Sequence, residues 1–101
     1  MDTGQLVLVT LTNPREKFWG VLMALTPAGA SVRGVDLQSL DDFMRLVKSG
    51  EAASAGLVFF PMHRVQRIEI DARTGELPSL AEQFAAATGW DIHKFLKEPT
   101  Q

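Results

Sequence analysis

Few side chains in this sequence can do chemistry on their own. There are two histidines, His63 and His93, and neither cysteine nor tyrosine. A histidine-based metal site needs further ligands close by, and no carboxylate stands at ligand spacing from either ring. Each histidine therefore reads as a structural or surface residue, with His63 the better functional candidate because it falls in a turn. Asp41 and Asp42 are the one adjacent carboxylate pair in a helical stretch. Neighbouring residues on a helix diverge by about 100°, and both acids suit the positive end of the helix dipole, so they do not form an acid–base pair. Neither a GxSxG turn nor a phosphate-cradling glycine loop is present. No catalytic residue, metal or cofactor is assigned, and the one enzymatic reading left open is a small enzyme that assembles carboxylates at a subunit interface.

The strongest candidate for binding lies in "LVFFPMHRVQRIEI", Leu57 to Ile70, where His63 and Arg64 follow Pro61 between two apolar runs. Proline has no N–H to give to a ladder, so Pro61 ends one strand and starts a corner. Arg64, Arg67 and Arg73 cluster here, but Glu69 and Asp71 interleave with them, which describes a solvated mixed-charge face. A formal charge of −2 and a pI near 5.6 remove the long-range pull that basic domains exert on phosphate backbones, so duplex DNA is not an expected partner.

The elements that position this corner follow from length and periodicity. A chain of 101 residues, 46% hydrophobic and 22% charged, fits one globular domain. The apolar run at the N-terminus is broken by threonines and preceded by an acid, so it reads as a strand and not as a signal peptide. No run reaches the length of a membrane span. Lack of cysteine is compatible with a reducing compartment, and a cytoplasmic location is the default expectation.

Strands are expected over Gln5–Thr12, Lys17–Leu25 and Ala30–Asp36, separated by "NPRE" and "TPAG", with two more on either side of Pro61. Gly20 and Gly34 interrupt strand patterns, as at sharp bends. Leu40, Phe43, Met44 and Val47 repeat at helical spacing, which predicts an inserted helix over 39–49 with Ser39 as N-cap and Gly50 at its end. Ser79 and Glu82 form a capping-box pattern that opens a second helix ending at Gly89. "DIHKFLK" reads as a third, with Trp90 anchoring the tail. The expected organisation is a barrel over 1–74 and a helical tail over 75–101 packed on it.

Both faces of the strands are apolar. Phe18, Leu22 and Ala24 oppose Trp19, Val21, Met23 and Leu25; Leu6 and Leu8 oppose Val7, Val9 and Leu11. One face of a small barrel is core, so the other needs a cover, from the helices, another subunit or both. Trp19, Phe59, Phe60 and Val65 are the candidate contact residues of a homo-oligomer. In the last strand Val65 has the wrong parity to join Ile68 and Ile70 without a shift in register.

Five strands, a glycine-bent second strand and a proline-interrupted corner before the last resemble the Sm-like superfamily of small β-barrels, which includes bacterial Sm-like RNA chaperones. "LVTLTNPREKFWGVLMALTPAGASVRG" looks like the first Sm motif, with Gly20 at its strand-bending glycine, and "VFFPMHRVQRIEI" looks like the second. The chain differs from the family in starting with a strand and in inserting a helix between strands three and four. The resemblance implies a bent five-stranded Sm/SH3-like barrel that assembles by pairing strand four of one copy with strand five of the next. It also implies single-stranded RNA as ligand, contacted by His63 and Arg64. The alternative function is a protein-interaction or scaffold module that uses the Phe43–Met44 helix or the tail as its surface.

Overall fold

The computed structural model describes residues 1–96. Five strands, β1 (Leu6–Leu11), β2 (Glu16–Thr26), β3 (Gly29–Asp36), β4 (Gly56–Pro61) and β5 (Val65–Ile70), form one antiparallel sheet in the order β4-β3-β2-β1-β5. A 3₁₀ turn over Leu37–Ser39 leads into helix α1 (Leu40–Ser49) between β3 and β4, and α2 (Leu80–Thr88) follows β5. Strands β4 and β5 lie at opposite edges of the sheet yet are joined by a 3₁₀ turn of only three residues, Met62–Arg64. So short a link bends the sheet enough to bring the end of β4 next to the start of β5 at that corner.

The bend is made possible by glycine. In register, Gly20 faces Gly34, and Gly34 faces Gly56 on β4. A Cβ on Gly20 would lie 2.1 Å from the Arg33 carbonyl oxygen, and one on Gly34 would lie 1.9 Å from that of Trp19. At Gly20 and Gly34 the backbones approach more closely than any side chain permits, whereas a Cβ on Gly56 would meet open space.

Two hydrophobic clusters lie on the two faces. The concave face holds Val7, Val9, Leu11, Leu22, Ala30, Val32 and Phe60. Outside, Trp19 and Val21 pack against Phe43, Val47, Phe84, Ile92 and Leu96, so α1, α2 and the turn after it cover the middle of the convex face. Phe84 is the centre of that layer, with ring centroids 6.2 Å from Trp19, 5.9 Å from Phe43 and 5.9 Å from Phe95. Burial of each such side chain is worth about 1.5–3 kcal/mol, which is why a second apolar face is stable only when covered. The two-residue alternation assigns the faces of β1, and of β2 as far as Met23, as the sequence predicts; beyond it the β2–β3 register shifts, so Ala24, opposite Ser31, lies on the convex side and Leu25, opposite Ala30, on the concave side, the reverse of the expected assignment. Val65 joins Ile68 on the concave side because the β1–β5 register shifts, with Leu11 opposite Val65 and Thr10 opposite Arg67, leaving Gln66 as the extra residue.

Three local expectations are corrected. Ser39 makes no side-chain cap: the 3₁₀ turn precedes α1, so the free N–H groups come earlier and Asp36 accepts from the Gln38 N–H at 2.8 Å. "DIHKFLK" is not a helix but a 3₁₀ turn, Ile92–Lys94, too short to propagate beyond the turn that Asp91 caps; its last residue, Lys97, lies outside the described residues. Trp90 does not anchor the tail: it is 45% exposed, with the Lys94 ammonium 4.7 Å above its ring, and Ile92 and Leu96 are buried instead. The capping box at Ser79 and Glu82 is present, and Gly50 and Gly89 end the two helices in left-handed conformation.

Candidate functional site: the corner turn and the β4 edge

Pro61 delivers the chain into the Met62–Arg64 turn, and the residues after it divide by role. His63 is exposed. Arg64 turns back beneath the corner: its Nε donates to the Thr12 carbonyl at 3.0 Å, and its Nη2 donates to the Pro14 carbonyl at 2.8 Å and to Glu16 Oε1 at 2.7 Å. The Thr12 N–H in turn donates to the Arg64 carbonyl at 2.8 Å. With its side chain 23% exposed, Arg64 staples the corner to the β1–β2 turn. Arginine's fixed fork of donors suits such multiple carbonyl recognition, and these contacts commit the guanidinium within the protein. His63 and Arg64, adjacent in sequence, thus differ in environment: one side chain faces solvent and the other is held by the β1–β2 turn.

Of the four candidate contact residues, the fold presents one to solvent. Trp19 is fully buried beneath Phe84, and its indole N–H donates to Asp71 Oδ2 at 3.1 Å; a partner subunit has no access to it, because the helical layer supplies the cover first. Phe60 is 7% exposed and stacks edge-on to Phe18 in the concave cluster, 5.1 Å between centroids. Val65 packs half-buried against the same cluster. Phe59 stands out at 53% exposed, and beside it on the same face Leu57, absent from the sequence-based candidates, is 55% exposed.

Hydrogen-bond parity adds to this. The Met62 N–H donates to the Ala28 carbonyl, and the register sets Gly29 opposite Pro61, Ser31 opposite Phe59 and Arg33 opposite Leu57. Antiparallel ladders alternate, so Val58 and Phe60 bond to β3 while the N–H and C=O groups of Leu57 and Phe59 point away from the sheet. The same two residues therefore expose both their side chains and their backbone groups. No charged residue occurs between Gly56 and Pro61, and β4 has none of the usual edge defences except Pro61 at its end. The opposite edge, β5, is defended by the bulge at Gln66 and by the Arg67–Glu69 ion pair at 3.2 Å.

Asp71, which in the sequence reads only as one acid of a solvated mixed-charge face, joins sheet to tail. Besides the Trp19 indole, its carboxylate accepts the backbone N–H groups of Leu80 at 2.8 Å and Ala81 at 2.9 Å at the start of α2. Ser79 Oγ accepts from the Glu82 N–H, and the Glu82 carboxylate accepts from the Ser79 N–H and from Arg73. The bond from Ser79, then that from Arg73, holds the Glu82 carboxyl below its ordinary range. His93 sits on a shallow groove of about 450 Å³ between α2 and the following turn, floored by Ala81, Ala85 and Gly89. Among the described residues no group of three or more His, Asp or Glu side chains could hold a metal ion, and no helix is long and apolar enough to cross a membrane.

Comparison with protein-family models, with curated proteins and with solved structures finds no match for this chain.

Proposed function

We propose that this protein is a non-enzymatic binding module on an Sm/SH3-type barrel, and that it engages its partner by adding a strand at β4. The barrel reading is supported by the strand order β4-β3-β2-β1-β5, the glycine row and the three-residue corner. The observation that carries the function is the uncharged β4 edge, where Leu57 and Phe59 offer apolar side chains and outward backbone groups together. In this mode the main chain supplies affinity and alternate side chains supply selectivity. Selection from a random peptide library tests it. Binders should be extended, rich in β-branched and aromatic residues, and lost with Leu57→Lys; binders indifferent to that substitution refute the proposal.

A second reading, single-stranded RNA binding by an oligomer, draws on the exposure of His63 at the corner. In that reading copies assemble β4 to β5 in a ring, and the histidines meet around its axis. Binding of mixed oligonucleotides should then weaken steeply with salt and fall with His63→Ala. A flat salt response, or no binding at low salt, excludes it.

A further inference from the structure

We infer that the strand β4 accepts is β4 of a second copy, in an isologous antiparallel pair. The inference rests on the strand-addition reading and names its partner. Three observations converge on it. First, of the two sheet edges only β4 is free of charge, so the edge that fits it best is one equally free of charge; the other edge of a second copy brings Arg67, Glu69 and a bulge.

Second, the faces match. Leu57 and Phe59 belong to the convex face, on the rows of Arg33 and Ser31. At β5 the Asp71 N–H donates to the Leu6 carbonyl, so the outward backbone groups there are those of Ile68 and Ile70, which share the concave face with Val9 and Val7. Antiparallel pairing of β4 with β5 would set convex residues beside concave ones. Pairing β4 with itself keeps convex beside convex.

Third, the register is determined. With the two-fold axis between the two Val58 residues, Leu57 of one copy forms a hydrogen-bonded pair with Phe59 of the other. All four outward N–H and C=O groups of Leu57 and Phe59 then find partners on each strand, and Pro61 ends the ladder where it has no N–H to offer. On the convex face each Leu57 packs against the second copy's Phe59, an aliphatic–aromatic cross-strand pair. Phe59 is already braced for this: its ring lies against Gly29 on β3, where a Cβ would come within 2.6 Å of its Cζ. A two-fold contact also closes, so no sticky edge is left over.

The chain contains no cysteine, so Val58→Cys introduces a single thiol at the axis. Val58 and its mate form a non-hydrogen-bonded pair with Cα atoms about 4.5 Å apart, within the range that a disulfide spans. Mild oxidation should give a covalent dimer of Val58→Cys and none of Ile70→Cys at the other edge. Light scattering of the unmodified protein should show a concentration-dependent monomer–dimer equilibrium, with the dissociation constant raised at least about tenfold by Leu57→Lys. Cross-linking of Ile70→Cys alone, a particle of six or seven copies, or a protein monomeric at every concentration overturns the inference. In the last case the strand-addition reading stands if library peptides still bind and Leu57→Lys abolishes that binding, and falls with the inference if they do not.

Discussion

Replacing Asp71 by alanine should cost more than its place just beyond the end of β5 suggests. The carboxylate accepts from the buried Trp19 indole at 3.1 Å and from the first N–H groups of α2, on Leu80 and Ala81, at 2.8 and 2.9 Å. Removal leaves the Trp19 Nε1 donor without its partner inside a fully buried residue, a loss of about 1–3 kcal/mol. It also strips the start of α2 of a cap worth about 0.5–2 kcal/mol, though Ser79 still caps Glu82. The two losses share one carboxylate, so a combined destabilisation of about 2–4 kcal/mol is expected, a large part of the 5–15 kcal/mol typical of a domain. Asp71→Asn should be milder, because an amide oxygen turned toward Trp19 and Ala81 keeps two of the three bonds. Urea unfolding followed by tryptophan fluorescence measures both. An alanine variant within about 0.5 kcal/mol of the parent would refute the view that Asp71 ties the tail to the sheet.

Gly34→Ala should prevent folding or leave a non-native state by circular dichroism, because its methyl would lie 1.9 Å from the Trp19 carbonyl oxygen; a cooperative native-like transition would show that the backbones do not approach so closely there. Glu82 has a lowered folded-state pKa, so its contribution to stability is present above the unfolded carboxyl range and is lost as pH falls through the folded value. Glu82→Gln should accordingly flatten the acid limb of the stability–pH curve, and an unchanged limb would contradict the capping role. Arg64→Ala should destabilise by about 1–3 kcal/mol by freeing the Thr12 and Pro14 carbonyls and Glu16, measurable as a lowered urea midpoint; no shift would mean that the staple is dispensable.

What the sequence conveyed well was local and periodic. Alternation in β1 and β2 separates Phe18 and Leu22 from Trp19, Val21 and Met23, because strand side chains repeat every second residue whatever lies above them. The parity clash at Val65 signals the bulge at Gln66 for the same reason. What it conveyed poorly depends on partners distant in the chain. Asp71 looks like a solvated acid at a strand end until Trp19, 52 positions earlier, is placed beside it. Arg64 looks like a ligand-binding cation until the β1–β2 turn is folded beneath it. Trp19 reads as interfacial because an apolar convex face calls for some cover, and sequence does not say that Phe84 and Phe43 provide it. Phe59 reads as a contact residue but Leu57 does not, because the apolar run does not say which of its alternate side chains face outward; the register with β3 puts both on the exposed side of the edge.

Amide hydrogen exchange across a range of protein concentrations tests the β4 edge most directly. The Leu57 and Phe59 amides point away from β3 and should exchange rapidly in dilute solution, then become protected as concentration rises, while Ile68 and Ile70 stay unprotected. Fast exchange at Leu57 and Phe59 at every concentration, or protection that develops at β5 instead, would contradict self-pairing through β4.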